Sequence, residues 1–206
     1  MKKCFIVGAG DFFGLDIMPE IDDYVIAADA GYDNLVKVGV SPDLIIGDFD
    51  SRNGKIPAGD NVITLPVMKD DTDIGAAFKE GWSRGYREFH IFGSMGGARF
   101  AHTVANVQLA SNIAEMGGRA FLYGKDEITT AIHNGSISFT ADQKGFISIF
   151  SMSDVSSGVT IRGLKYTLED SELKNTFALG VSNEFIGEDA EISVRDGILL
   201  IIRQKC

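Results

Sequence analysis

Carboxylates recur just beyond short apolar runs in this chain. Tyr24–Ala28 passes straight into Asp29-Ala30-Gly31, and Leu44–Gly47 into Asp48-Phe49-Asp50-Ser51. Lys69-Asp70-Asp71-Thr72-Asp73 opens a helical pattern that starts near Thr72. Apolar runs without polar alternation read as strands buried on both faces. Asp29, Asp48 and Asp50 then fall at strand carboxyl ends, where open parallel sheets bind their ligands. Asp48 and Asp50 stand at i and i+2, so an extended turn would point both side chains to one side. Carboxylates gathered in one crevice repel one another, and a hard cation relieves the repulsion. Mg²⁺ suits such a place, because it takes oxygen ligands, keeps several waters and binds one or two carboxylates together with substrate phosphates. An aspartate in a turn or at a helix start is also explained by capping, and Asp71 or Thr72 as a cap accounts for part of the 69–73 run. Asp-Phe-Asp-Ser after a buried strand, with further acids at neighbouring strand ends, favours the ligand reading.

Opposite charge follows the run Glu88–Phe92. Gly93-Ser94-Met95-Gly96-Gly97-Ala98-Arg99 leads through Phe100-Ala101-His102 into a second helical pattern. A glycine-rich strand-to-helix loop exposes backbone N–H groups, the helix N-terminus favours an anion, and Arg99 holds phosphate oxygens bidentately. The spacing is not that of a Walker loop. At the N-terminus, Gly8-Ala9-Gly10-Asp11-Phe12-Phe13-Gly14 follows a strand-like run and imitates a dinucleotide fingerprint, with Asp29 where a ribose-binding acid would stand. It reads G-x-G-x-x-x-G, one residue too long, and an NAD-binding reading leaves Asp48, Asp50 and Asp73 without a role. His90, His102 and His133 have no metal spacing, and only His102 lies beside the glycine loop.

The elements that must position these groups differ between the two halves. Up to about residue 124, the runs Cys4–Gly8, Tyr24–Ala28, Asp43–Gly47, Val62–Leu65, Glu88–Phe92 and Arg119–Tyr123 alternate with helical patterns at Thr72–Arg84 and Thr103–Met116. That order predicts a parallel sheet with helices on both faces, a three-layer α/β domain over 1–124. From 125 to 206 the helical period disappears. Short strand-like runs follow at Ile128–Ile132, Ser136–Thr140, Phe146–Met152, Gly158–Ile161, Thr176–Ser182, Glu191–Arg195 and Ile198–Arg203, predicting an all-β sandwich. Asp196-Gly197 between the last two is a hairpin signal.

The 206 residues carry 29 acidic against 19 basic side chains, a formal charge of −10. That excess argues against nucleic acid or an anionic membrane surface as partner. The 2 cysteines, Cys4 and Cys206, form no disulfide framework and no zinc spacing, which fits the cytoplasm. No run is long enough to span a membrane.

The motifs resemble those of the thiamine pyrophosphokinase family. Ala28–Gly31, Pro42–Ser51 and Lys69–Asp73 are similar to its acidic motifs, and Gly97-Ala98-Arg99 through His102 to Asn106 to its fourth. Gly163-Leu164-Lys165-Tyr166 and Val181-Ser182-Asn183-Glu184-Phe185 are similar to its C-terminal motifs. The resemblance implies a homodimer of α/β nucleotide-binding and β-sandwich domains. It implies Mg²⁺-dependent transfer of pyrophosphate from ATP to the hydroxyl of thiamine, giving thiamine diphosphate and AMP. Asp48, Asp50, Asp70 and Asp73 would be catalytic, with Asp48, Asp50 and Asp73 on the metal. Asp29, Gly31, Arg99, His102 and Asn106 would lie at ATP and its phosphates, and Ser182 and Asn183 at thiamine. Ala101 stands where the family carries an acid. That departure leaves a weakly active or binding-only chain as an alternative, beside a pyrophosphokinase acting on a hydroxymethyl-pterin.

Overall fold

The computed structural model describes residues 2–49, 59–66, 68, 70–97 and 99–205. Asp50 lies outside that range, so of the expected Asp48–Asp50 pair only Asp48 is described. The chain divides into two compact units, Met1–Leu109 with Ala120–Lys125, and Ala110–Arg119 with Asp126–Cys206.

The first unit holds strands β1 (Cys4–Val7), β2 (Tyr24–Ala28), β3 (Leu44–Gly47), β4 (Val62–Thr64), β5 (Glu88–Phe92) and β6 (Arg119–Tyr123). Their order is β6-β5-β1-β2-β3-β4, and the β1–β2, β1–β5, β2–β3 and β3–β4 pairs are parallel. β1 and β3 are buried along their whole length and β2 from Val25 onward, which explains their unbroken apolar sequences. Strands 1 to 4 progress in one direction, and the chain then returns to the other side of β1 with β5. The order therefore reverses between β1 and β5, the point at which such sheets open a ligand crevice.

Three helices accompany this sheet: α1 (Gly31–Lys37), α2 (Asp73–Ser83) and α3 (Phe100–Glu115). α2 begins where Thr72 caps it, its side chain accepting the Gly75 N–H at 3.0 Å. Ile74, Ala77 and Phe78 of the stripe expected over Thr72–Arg84 are buried together with Gly75 and Gly81, whereas Trp82, expected on the same face, is only half-buried. At Gly81 an added Cβ would stand 2.8 Å from Cys4 Sγ and 2.9 Å from Phe89, so the missing side chain lets the helix close on β1 and β5. α3 starts three residues before its expected Thr103, which puts Arg99 and His102 at its N-terminus.

Gly8–Gly14 opens no helix, and the dinucleotide-fingerprint alternative fails there. The Gly8 N–H donates to Phe92 O at 2.8 Å and the Gly10 N–H to Gly93 O at 2.9 Å, so the segment stays extended alongside β5. Residues 8–23 contain no helix before β2.

The second unit is the expected sandwich. One sheet has the order β12-β9-β14-β7, from β7 (Glu127–His133), β9 (Phe146–Ser151), β12 (Gly180–Glu184) and β14 (Ile198–Gln204). The other has the order β11-β10-β13-β8, from β8 (Ser136–Phe139), β10 (Val155–Arg162), β11 (Leu168–Lys174) and β13 (Ala190–Ser193). Their common core takes Ile147 and Ile149 from β9, Leu199 and Ile201 from β14, and Val159, Ile161 and Ile192 from the facing sheet.

Two expectations change here. Asp196-Gly197 is not a hairpin turn, because β13 pairs with β8 and β10 while β14 pairs with β7 and β9. Ile192 and Leu199 face one another across the sandwich instead of lining one sheet face, which forces the chain to change sheets between them. Gly197, at φ 122°, makes that corner, and its N–H donates to Asn134 Oδ1 at 2.8 Å. The strand expected at Thr176–Ser182 forms later, as Gly180–Glu184, since the Phe177 N–H closes a turn on Lys174 O at 3.2 Å. Among the described residues, no helix is long and apolar enough to cross a membrane.

Candidate active site

A cleft of about 440 Å³ opens in the first unit beyond the carboxyl ends of β1, β2, β3 and β5. Asp29, Asp48, Asp73, Arg99, His102 and Asn106 line it together. These residues are far apart in sequence, and the strand order alone brings their elements to one edge.

The carboxylate side is built on strained backbone. Asp29 follows β2 with φ 51° and is buried. Its N–H donates to Ile46 O at 2.8 Å, which locks it to β3. Gly47 permits that contact: an added Cβ would lie 2.9 Å from the Asp29 Cα. Asp48 follows at half-buried depth, and the next residue breaks the expected extended turn. Phe49 has φ 58° and buries its ring. Left-handed backbone is unfavourable for a bulky side chain, and burial of the phenyl group holds it there. Asp73 sits in the first turn of α2, at the positive end of the helix dipole.

The 69–73 run divides differently from the sequence expectation. Asp70 is exposed and is not among the residues lining the cleft, whereas Asp71 is. The Asp71 Oδ1 accepts the Thr72 N–H at 2.8 Å, and its Oδ2 pairs with Lys79 Nζ at 2.8 Å. Glycine at 75 leaves room for this carboxylate, since an added Cβ would clash with Asp71 Oδ1 at 2.1 Å. Asp11, beyond β1, also lines the cleft. In the sequence Asp71 reads as a cap or as the acid that could compensate for Ala101, and Asp11 carries no site signal beyond the imitation fingerprint.

The opposite wall is the loop 93–97 and the start of α3. Gly93, Gly96 and Gly97 have φ 61°, 80° and 82°, left-handed values that glycine adopts without strain. Two α3 side chains staple the loop. Asn106, buried, donates from Nδ2 to Ser94 O at 2.6 Å. Thr103 Oγ1 accepts the Gly96 N–H at 3.1 Å. Arg99 and His102 are exposed at the mouth. Asn106→Ala should lower stability by about 1–3 kcal/mol, because it strands a buried acceptor. Denaturant unfolding of the two proteins checks this.

Gly31 starts α1 and is buried, but it does not line the cleft. An added Cβ would stand 1.8 Å from Val7 O, so close packing of α1 on β1 requires glycine there. Ala101 is exposed and does not line the cleft either.

Ser182 and Asn183 lie in the second unit, on β12. Ser182 is exposed at φ 58°, in the register shift of β12 against β9. Asn183 is buried and committed to Tyr166: Oδ1 accepts the Tyr166 N–H at 2.9 Å, and Nδ2 donates to Tyr166 O at 2.7 Å. It therefore pins the 163–166 segment against β12.

Among the described residues, no three His, Cys, Asp or Glu side chains form a group able to hold a metal by themselves. The carboxylates of Asp29, Asp48 and Asp73 in the lining nonetheless offer the oxygen ligands of a hard cation that takes one or two carboxylates and completes its shell with water and phosphate.

A parallel sheet with an acidic cleft at its reversal point, followed by a β-sandwich, defines a class that comparison with known proteins identifies. The family model of the thiamin pyrophosphokinase catalytic domain matches residues 18–122, and that of its vitamin B1 binding domain matches residues 136–199. The chain belongs to the thiamin pyrophosphokinase family. It is 27% identical over 215 residues to a thiamine pyrophosphokinase of Bacillus subtilis, covering 98% of this chain and 99% of that protein. The crystal structure of thiamin pyrophosphokinase from Geobacillus thermodenitrificans is 26% identical, with a TM-score of 0.84 over 99% of this chain and 98% of the other. Yeast thiamin pyrophosphokinase, at 16% identity and TM-score 0.71 over 99% and 86%, shares the fold.

Proposed function

We propose that this chain transfers the terminal pyrophosphoryl group of ATP to the hydroxyl of thiamine, forming thiamine diphosphate and AMP. The observation that carries the reading is the cleft itself, with carboxylates on one wall and a stapled glycine loop with Arg99 on the other. Transfer of this kind needs in-line positioning and neutralised charge more than covalent participation by the protein. The loop and the α3 N-terminus would seat the phosphate chain, and Arg99 would grip its oxygens. Asp48 and Asp73 would hold Mg²⁺, with Asp50 as a third ligand by resemblance, Asp29 beside them and Asp70 carried only by its motif. The cation, when bound, neutralises charge developing on the transferred group. Asp73, at the start of α2, would accept the proton of the attacking alcohol.

The match to a B1-binding domain over 136–199 supports thiamine, rather than a pterin alcohol, as acceptor. Ser182 would contact it, and Asn183 would position Tyr166. Residues 1–124 would form the nucleotide domain, and 125–206 the thiamine and dimerisation domain. Pairing of two copies is supported by the apolar surface around β12, where Phe177, Leu179, Val181 and Ile186 are 68%, 52%, 44% and 50% exposed. Sedimentation at micromolar concentration should give twice the mass of one chain, and a fully active monomer would refute pairing as a requirement of the activity. A cytoplasmic setting is supported by Cys4, buried as a free thiol. An AMP-release assay with Mg·ATP tests the activity: release should require thiamine and should not occur with hydroxymethyl-pterin.

A further inference from the structure

We propose that Asp11 makes this cleft select a metal-bound polyphosphate over the free anion. The inference rests on the cleft being a polyphosphate site. Asp11 lines the cleft beside the glycine loop. Its segment is held there by the bond from the Gly10 N–H to Gly93 O at 2.9 Å. A Cβ built on Gly96 would meet Asp11 Oδ2 at 3.4 Å, and one on Gly97 would meet Oδ1 at 3.7 Å. The carboxylate thus lies over the very loop whose N–H groups would receive phosphate oxygens. It is exposed, and among the described residues no hydrogen bond or ion pair engages it.

A phosphate chain without a cation would meet these donors and a full negative charge within a few ångströms of each other. Unscreened like charges at that separation oppose binding. A divalent cation between the chain and Asp11 reverses the sign of the interaction, directly or through its water shell. Asp11 therefore gives the anion-binding wall a preference that the loop and Arg99 alone would lack.

Calorimetric titration with α,β-methylene-ATP, which cannot lose its pyrophosphoryl group, tests this in Mg²⁺ and in EDTA at equal ionic strength. Wild type should bind the Mg²⁺ complex more tightly than the free analogue. Asp11→Asn should tighten binding of the free analogue by roughly tenfold and narrow the preference by the same factor. Glu172→Gln, which removes an exposed charge on β11, should leave the preference unchanged. An unchanged preference in Asp11→Asn, or equal tightening of both forms, would overturn the proposal. Asp11→Ser repeats the test if melting shows that the asparagine variant is unfolded. Failure of the wild type to bind either form would instead remove the polyphosphate reading, and this inference with it.

Discussion

Asp48→Asn is expected to lower kcat at least about a hundredfold, the scale of losing one well-placed charge-stabilising group at a reacting centre. The side chain stands just past β3, in the cleft and outside the apolar core. Its neighbours explain why no other residue would substitute for it. Gly47 before it is pressed onto the Asp29 backbone, and Phe49 after it is anchored by its buried ring at φ 58°. The carboxylate is thereby fixed on both sides, and an amide in its place keeps the shape while losing the charge. Stability should change by less than about 1 kcal/mol, as for a substitution outside the core. Steady-state kinetics across a Mg²⁺ titration, with thermal melting as control, check both parts. Wild-type turnover in the variant at limiting Mg²⁺ would show that Asp48 does not serve the cation.

Gly31→Ala should produce the largest loss of stability. The new methyl carbon would lie 1.8 Å from Val7 O and 2.6 Å from the Val7 carbonyl carbon, so the N-terminus of α1 or the end of β1 must move. Overpacking at a backbone contact of this kind costs about 3 kcal/mol, at the upper end of the usual range. For a chain of this size that corresponds to a Tm lower by roughly 6–12 °C. Gly39→Ala is the matching control, because its φ of 72° is left-handed but an added Cβ meets nothing within 4 Å. It should cost only about 1–2 kcal/mol of backbone strain. Equal Tm shifts in the two variants would remove the packing explanation for Gly31.

Much of this arrangement was legible in the sequence because it follows from simple periodicities. Unbroken apolar runs such as Cys4–Val7 and Tyr24–Ala28 could only be buried strands, so the acids behind them had to gather at one edge of the sheet. The alternation of Ile147 and Ile149 with Phe146 and Ser148 marked a half-buried strand in the same way, and that is how β9 packs. What escaped depended on contacts between distant residues. Leu168–Lys174 carries only one buried side chain, Leu173, and pairs solely with β10, so no apolar pattern announces that edge strand. Asp196-Gly197 has the local chemistry of a hairpin, but the core needs Leu199 and Ile192 on opposite sheets, and that tertiary demand prevails. Asp71 rather than Asp70 lines the cleft because the space above Gly75 receives one carboxylate, a complementarity invisible in a run of like residues. Asp11 reaches the cleft because the Gly8–Gly10 segment is bonded alongside the end of β5, a placement that no local pattern encodes.

In the proposed function the cleft moves two phosphoryl units in one step from ATP to thiamine. Phosphorus NMR of the complete reaction with thiamine and Mg·ATP tests it most directly. AMP and thiamine diphosphate should appear in equal amounts, with no thiamine monophosphate at any time. ADP accumulating with thiamine monophosphate, or ATP unchanged in the presence of thiamine and Mg²⁺, would contradict it.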